Sequence, residues 1–324
     1  MLDEFALIAE LLAPLSRGAP DAYDLTDDAA LIAVPEGRRL VVTKDMLVAG
    51  VHCLADDEPG LIARKLLRVN LSDLAAMGAA PRAYLLALAL PKTTDESWLR
   101  GFVGGLALDQ AAFGVDLIGG DTVSTDGPFT ASLTAFGDVR VGEEMRRQGS
   151  IAGDLVFVSG SLGDAALGLA VLTGGLEGLD EPAETMLRER YHLPRPRIAL
   201  GLRLSGLAHG LIDVSDGLIA DLGHLCTASR VAAEIDAPRV PLSMAARAAL
   251  ALDPDLLEKV LGGGDDYELL FTANSEAATP LAAIAADLDL PITAIGRITE
   301  GSGVTALDAN GDPIDLPSPG WRHF

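Results

Sequence analysis

A helical apolar run interrupted by three polar residues constrains this chain most. Leu61, Ile62, Leu66, Val69, Leu74 and Met77 recur at spacings near three and four, the period of a helix with one face in a core. Into that run the sequence sets Asn70, Ser72 and Asp73. Asn70 and Asp73 are three apart and so share a face. A carboxylate there is close to buried, and it then needs a metal, a cation or several donors. The stretch alone leaves two readings open. Ser72 and Asp73 can cap something nearby as the polar end of a core helix, or the helix can carry a functional carboxylate.

Composition narrows the setting. The 324 residues allow two domains of ordinary size. Hydrophobic residues make up 49% but aromatics only 4%, so the core must be mostly Ala, Leu, Val and Ile. A formal charge of −23 leaves no basic patch to hold nucleic-acid phosphates, and most of it reads as solubility. A chain this acidic that handles phosphates would recruit Mg²⁺. Cys53 and Cys226 have no CxxC partners and read as reduced thiols of a cytoplasmic protein. Met1-Leu2-Asp3-Glu4 lacks the basic start of a signal peptide. No stretch approaches 18 uncharged apolar residues, so neither a membrane span nor a membrane partner is expected.

Along the chain, strands and helices alternate. A short amphipathic helix is expected over 3–13. Thr26-Asp27-Asp28 leads into a strand at Ala29 to Ile32, with a hairpin turn at Pro35 to Gly37 before the strand Leu40 to Thr43. The interrupted helix covers 60–77, a strand runs from Tyr84 to Leu90, and a helix from Asp95 to Phe113 ends at Gly114. Val115 to Ile118 is a short strand running into Gly119-Gly120-Asp121-Thr122, and Phe129 to Asp138 is a further strand. Arg140 to Gly153 is polar and aperiodic, which marks a seam. It divides an N-terminal domain, 1–139, from a C-terminal domain, 140–324. The second part opens with a strand at Asp154 to Ser159, followed by Gly160 to Gly163 before a helix. It then brings Asp213-Val214-Ser215-Asp216-Gly217 to a strand end and carries a triple glycine with Asp265 and Asp266 ahead of another strand. A helix over 276–289, a strand over 292–298 and a turn at Asn310-Gly311 close the chain.

Acidic residues gather where these strands stop, the place where open α/β sheets bind ligands. Asp27, Asp28, Asp45 and Asp121 do so in the first part, with Asp73 from the helix, and Asp213 and Asp216 in the second. Any one of them is at home as a turn or capping aspartate. As a converging set they repel one another and need divalent cations between them. Oxygen ligands without a thiolate cluster select Mg²⁺ over Zn²⁺. Carboxylates that bind several Mg²⁺ ions bridging to phosphates describe a nucleotide-using phosphoryl-transfer site. No Walker A or protein-kinase motif occurs. The bare backbone of Gly119-Gly120 is one place for a phosphate or adenosine to approach, and Gly160 to Gly163 is another.

Together these stretches resemble the thiamine-monophosphate kinase family, within the superfamily of aminoimidazole-ribotide synthetase. The matching segments are Asp27 to Ala30, Asp45 to His52, Val69 to Ala79, Gly119 to Thr122, Asp213 to Leu222 and Gly263 to Leu269, with Gly320 to Phe324 at the end. The runs VNLSDLAAMGA and DVSDGLIADLGH are long enough to be specific. The resemblance implies an α/β (α+β) fold of two domains: an N-terminal mixed sheet with flanking helices that binds metal and ATP and forms a homodimer, and a C-terminal α/β domain closing the active site. It implies ATP as co-substrate, several Mg²⁺ ions, and thiamine monophosphate as acceptor of the γ-phosphoryl, giving thiamine diphosphate. Matched position by position, Asp28, Thr43, Asp45, Asp73, Asp121, Asp213 and Asp216 fall on metal-binding positions. Gly120, Asp121, Arg147 and Ser215 fall on nucleotide contacts, and His52, Asp265 and Trp321 on contacts to the thiamine phosphate. Trp321 would stack on a cationic ring, and Arg147 would fork onto phosphate oxygens.

Three positions depart from that pattern. Asp24-Leu25-Thr26 replaces a glycine-rich approach to the acidic pair. Lys44 stands where a Thr is usual and would serve a metal through its backbone carbonyl. Asp265 stands where a Glu is usual and reaches one methylene less far. The dimer is implied by the resemblance alone, with Tyr84 to Leu90 as an apolar strand available to its interface. Direct attack by a substrate phosphate oxygen needs no general base, because a phosphate monoester has a second pKa of about 6. Two other readings remain: a synthetase of the same superfamily that activates a carbonyl or amide oxygen, and a non-catalytic subunit that binds Mg²⁺ and nucleotide. On the kinase reading, Asp73→Ala or Asp121→Ala abolishes turnover while the chain stays folded. Near-normal kcat in either variant at saturating Mg²⁺ would show that these carboxylates do not serve the reaction.

Overall fold

The alternation of strands and helices condenses into two sheets, one in each of two units. The computed structural model describes residues 4–316 and Gly320. The first unit comprises Met1–Leu74 with Ala79–Gly142, and the second Ala75–Gly78 with Glu143–Phe324.

The first unit runs α1 (Glu4–Leu7), β1 (Arg38–Val48), α2 (Pro59–Ala76), β2 (Ala80–Pro91), α3 (Glu96–Phe113), β3 (Asp116–Thr125) and β4 (Thr130–Arg140). Its sheet has the order β1-β4-β2-β3. β4 is antiparallel to both β1 and β2, while β2 and β3 are parallel. Strand alternation sorts the side chains. Tyr84, Leu86, Leu88 and Leu90 of β2 are buried, as are Leu133 and Ala135 of β4 and Leu47 of β1. On this side α2 packs through the buried Leu66, Leu67, Leu71 and Leu74. Asn70 ties it down: its amide donates to Leu66 O (2.9 Å) and its Oδ1 accepts the Asp45 N–H (3.1 Å). α3 shows the termini that its sequence calls for. The Asp95 carboxylate accepts the Trp98 N–H (2.8 Å) and Gly114 closes the helix in a left-handed conformation. Arg64 and Arg68 of α2 meet the buried Asp109 of α3 at 2.9 and 2.5 Å.

Two expectations fail in this unit. The strand expected over 29–32 does not form and β1 begins only at Arg38, so the turn at Pro35 to Gly37, closed by the Arg38 N–H on Pro35 O (3.1 Å), joins no hairpin. The apolar run Ala29 to Val34 lacks the strict alternation of a half-buried strand, and Leu31 and Val34 are exposed. The helix expected over 3–13 is α1 followed by a π-helical turn, Ile8–Leu12, and a 3-10 turn, Ala13–Ser16. Pro14 cannot donate to an α-helical ladder there. The strand Tyr84 to Leu90 divides its residues between two faces. Tyr84, Leu86, Leu88 and Leu90 face the helices, and the exposed apolar residues of the opposite face are Leu40, Val42 and Met46 of β1 and Val123 of β3.

The second unit runs β5 (Leu155–Ser159), α4 (Asp164–Leu172), α5 (Glu181–His192), α6 (Ile198–Gly201), β6 (Gly210–Asp213), α7 (Leu218–Ser229), β7 (Ala232–Asp236), α8 (Met244–Leu252), α9 (Leu257–Gly262), β8 (Leu269–Ala273), α10 (Ala278–Leu288), β9 (Ile292–Thr299) and β10 (Gly303–Leu307). Its sheet has the order β10-β7-β9-β5-β8-β6, parallel only between β10 and β7. Alternate residues of its strands feed two cores. Val156, Val158, Ile212 and Leu270 pack with Leu222 and Leu225 of α7. Phe157, Leu211 and Phe271 pack with Leu281 of α10, and the rings of Phe157 and Phe271 stack at 5.5 Å. A sheet covered on both faces explains why β6 and β8 read as continuous apolar runs.

The Tyr84 hydroxyl lies in the first core, with no hydrogen-bond partner among the described residues. A buried polar group without a partner is costly. Tyr84→Phe is therefore expected to raise stability to urea by about 1 kcal/mol. A loss of that size would show that the hydroxyl is hydrated inside the core.

Candidate active site

In the first unit a cavity of about 640 Å³ gathers the acidic pair Asp27 and Asp28, Lys44, Gly119, Gly120 and Asp121. Leu12, Leu25, Leu85 and Phe136 are among its apolar walls. Lys44 is the one cation among its described lining residues. Three carboxylates against one ammonium leave the cavity short of positive charge, and hard oxygen donors of this kind suit Mg²⁺.

Gly120 and Asp121 reach this cavity from within β3, which extends through Thr125, so the glycine pair is part of a strand and does not follow one. Gly120 lies opposite Leu86 in the parallel ladder, and a Cβ at 120 would run into the Leu86 carbonyl oxygen. The pair is thus required by the close approach of β2 as well as being bare toward a ligand.

The other metal candidates of this unit lie across β1. Neighbouring strand residues point to opposite faces. Lys44 lines the cavity, whereas the Thr43 hydroxyl donates to the Asp73 carboxylate of α2. Asp45 follows Thr43 in the alternation, and its N–H is the one held by Asn70. The structure therefore brings Asp28, Lys44, Gly120 and Asp121 together, and Thr43, Asp45 and Asp73 together on the helix side. His52 sits in a tight turn after β1. Its Nδ1 accepts the Val48 N–H (3.1 Å), which places the proton of the neutral ring on Nε2.

The second unit holds its own acidic group. Asp213 ends β6 and is buried. Beyond it, Oδ2 of Asp221 accepts the N–H groups of Ser215 (3.0 Å), Asp216 (2.9 Å) and Gly217 (3.1 Å). Burial, followed by the charges of Asp213 and Asp216, pushes the Asp221 carboxyl up to about 8. Ligand atoms of Asp216, Asp221 and His224 lie within 4.8 Å of one another. Carboxylates that raise one another in this way fit a divalent cation. Asp221 and His224 were missed among the candidates, although they stand three apart in DVSDGLIADLGH and share a helix face.

Asp265 lies against this loop. Its N–H donates to Ser215 O (2.9 Å), and the Tyr267 N–H donates to Val214 O (2.8 Å). The Tyr267 hydroxyl donates to Asp265 Oδ1 (3.2 Å). Arg147 is exposed, and its carbonyl accepts from the Ser229 hydroxyl (3.2 Å). Trp321 lies outside the described residues, but Gly320 packs beside Ala220 and the Asp216 carbonyl.

The chain is similar to proteins of known family. The family described as AIR synthase related protein matches over its N-terminal domain at residues 26–139 and over its C-terminal domain at residues 152–308. The thiamine-monophosphate kinase of Caulobacter vibrioides is 42% identical over 323 residues, 99% of this chain and 90% of that protein. The crystal structure of the thiamine-monophosphate kinase of Stenotrophomonas maltophilia superposes with a TM-score of 0.86 at 43% identity, covering 97% of this chain and 98% of that one. The structure of AaThiL complexed with AMPPCP and TMP superposes with a TM-score of 0.79 at 32% identity, covering 99% and 97%.

Asp266, next to Asp265, is buried, and burial pushes its carboxyl from 3.8 up to about 8. The folded chain thus holds a proton that the unfolded chain releases near pH 4. Its contribution to stability is full below that pH and is lost as pH rises through about 8. Asp266→Asn removes this titration, so urea midpoints followed between pH 5 and 8 should fall less steeply in the variant than in the parent. Equal slopes would show that Asp266 is ionised throughout that range.

Proposed function

The chain belongs to the thiamine-monophosphate kinases of the AIR synthase related family, and we propose from that membership how its residues serve the reaction. It uses ATP to phosphorylate thiamine monophosphate to thiamine diphosphate. The observation that carries the assignment of parts is the cavity joining Asp27, Asp28, Lys44, Gly120 and Asp121.

The acceptor is a phosphate monoester, largely dianionic near neutral pH because its second pKa is about 6. One of its oxygens attacks the γ-phosphorus in line, the bond to the β–γ bridging oxygen breaks, and ADP leaves with the electron pair. No side chain has to remove a proton. The chain's task is to hold two anions in line and offset their charge. In the first unit the backbone at Gly119 and Gly120 gives phosphate a close approach, and the Lys44 ammonium stands beside it. Arg147 and Ser215 bind nucleotide, while His52, Asp265 and Trp321 bind the thiamine phosphate. Mg²⁺ would be held in separate groups: by Asp28 and Asp121 with the Lys44 carbonyl at the cavity, by Thr43, Asp45 and Asp73 on the helix side of the first sheet, and by Asp213 and Asp216 in the second unit. Bound there, Mg²⁺ supplies positive charge to the phosphate oxygens.

The protein is read as a cytoplasmic homodimer. The exposed Leu40, Val42, Met46 and Val123 on one face of the first sheet support pairing with a second copy. No helix among the described residues is long and apolar enough to cross a membrane.

Incubation with ATP and thiamine monophosphate should yield thiamine diphosphate and ADP in equal amounts, with turnover lost in EDTA and restored by Mg²⁺. ATP hydrolysis without thiamine diphosphate would favour a superfamily synthetase with another acceptor. Binding of ATP with no transfer would favour a non-catalytic subunit. A monomer mass by light scattering at micromolar concentration would remove the dimer from this reading.

A further inference from the structure

The segment Gly262 to Glu268 has two sides. Asp265 and Tyr267 form one, joined to the 214–215 backbone and to each other. Both adopt left-handed φ values, 69° and 52°, which non-glycine residues hold only where their surroundings impose them. Gly264 lets this side lie flat, since a Cβ there would run into the Ser215 carbonyl oxygen.

Asp266 and Glu268 form the other side. The two Asp266 oxygens accept the N–H groups of Gly163 (2.6 Å) and Ala165 (3.2 Å). Glu268 is fully buried. Its carboxylate accepts from the Ser159 hydroxyl (2.6 Å), from Arg190 Nη2 (2.9 Å) and from Arg197 Nε (2.6 Å), and it rests against Gly160, where a Cβ would strike it. The Ser159 hydroxyl also accepts the Leu269 N–H (3.0 Å). Buried charge clusters of this kind are weak contributors to stability compared with apolar packing. What they supply here is a fixed backbone path through two strained residues.

We infer that Asp266 and Glu268 are positioning residues for the acceptor. Anchored by Ser159, Arg190, Arg197 and the start of α4, they hold Asp265 and Tyr267 in the left-handed backbone that presents the Asp265 carboxylate. The inference rests on the reading of Asp265 as a contact to thiamine monophosphate. Asp265 is one methylene shorter than the glutamate usual at this position in the family that the chain resembles. A shorter arm has less freedom to correct a displaced backbone, so its placement depends more on the residues behind it.

The test uses the full chain with ATP and thiamine monophosphate. Ser159→Ala and Arg197→Lys are mild variants, since Arg197 is partly exposed, and Glu268→Gln is the severe one. Each is expected to raise KM for thiamine monophosphate about tenfold, the effect of misplacing one charged hydrogen bond, with KM for ATP and kcat within about twofold. Asp265→Ala should raise the same KM, and Asp265→Ala combined with Arg197→Lys should raise it no further. If Asp265→Ala leaves that KM unchanged, the acceptor reading of Asp265 is wrong and the inference goes with it. If Asp265→Ala raises KM but the folded Ser159→Ala and Arg197→Lys variants match the parent, the inference alone is overturned. Equal changes in both KM values and kcat alongside a lower Tm also overturn it, because they mark a purely structural cluster. Should Glu268→Gln fail to fold, the two mild variants decide.

Discussion

A carboxylate withdrawn from water must be met by donors or by positive charge, and this acidic chain meets that demand repeatedly. Asp138 receives Arg38 and Arg82, and Asp109 receives Arg64 and Arg68. Glu268 receives two arginines and a serine. Asp221 and Asp266 accept hydrogen bonds from backbone N–H groups, and both have their carboxyls pushed up; Asp266 is also near the Arg190 charge, while Asp221 stands with Asp216 and His224 where a cation could sit. Asp27, Asp28 and Asp121 differ from all of these. They stay exposed at a cavity whose described lining has a single cation. The structural acids are satisfied within the protein, while the cavity acids present their charge outward, where a metal and phosphates can use it.

Much of this was legible in the sequence because the signals were local. The α2 period and the Asp95 and Gly114 termini of α3 each depend on a few neighbouring residues; the aspartates expected at strand ends fare less well, since Asp213 ends β6 but Asp45 and Asp121 lie within β1 and β3. The N-terminal stretch was less legible. Its apolar residues suggest a strand, but Ala29 to Val34 lacks the alternation that would bury one face, and the run does not add to β1. Gly119-Gly120 reads in the sequence as a pair after a strand, but it lies within β3, and what requires a glycine at 120 is Leu86 of the neighbouring strand. The Glu268 cluster draws on Ser159, Arg190 and Arg197, 71 to 109 positions away, and no local pattern announces it.

Alternation along β1 divides what the sequence lists side by side. Thr43 and Lys44 are neighbours in the chain but work on opposite faces, Thr43 toward Asp73 and Lys44 into the cavity. Asn70, buried and bound at both ends of its amide, joins α2 to β1 at Asp45. Its interruption of an apolar helix is therefore a link between the element that carries Asp73 and the strand that carries its hydroxyl partner.

The two-sided segment from Gly262 to Glu268 also limits how this part of the chain can change over time. A substitution there changes one side chain and leaves the alternation of the two sides intact. The number of residues cannot drift in the same way. One residue added or removed between Gly264 and Glu268 would turn the segment over, sending an acid meant for Arg190 and Arg197 toward the 214–215 backbone and a tyrosine into a fully enclosed ionic cluster. Related chains that keep this architecture should vary here by substitution, with insertions and deletions confined to its flanks.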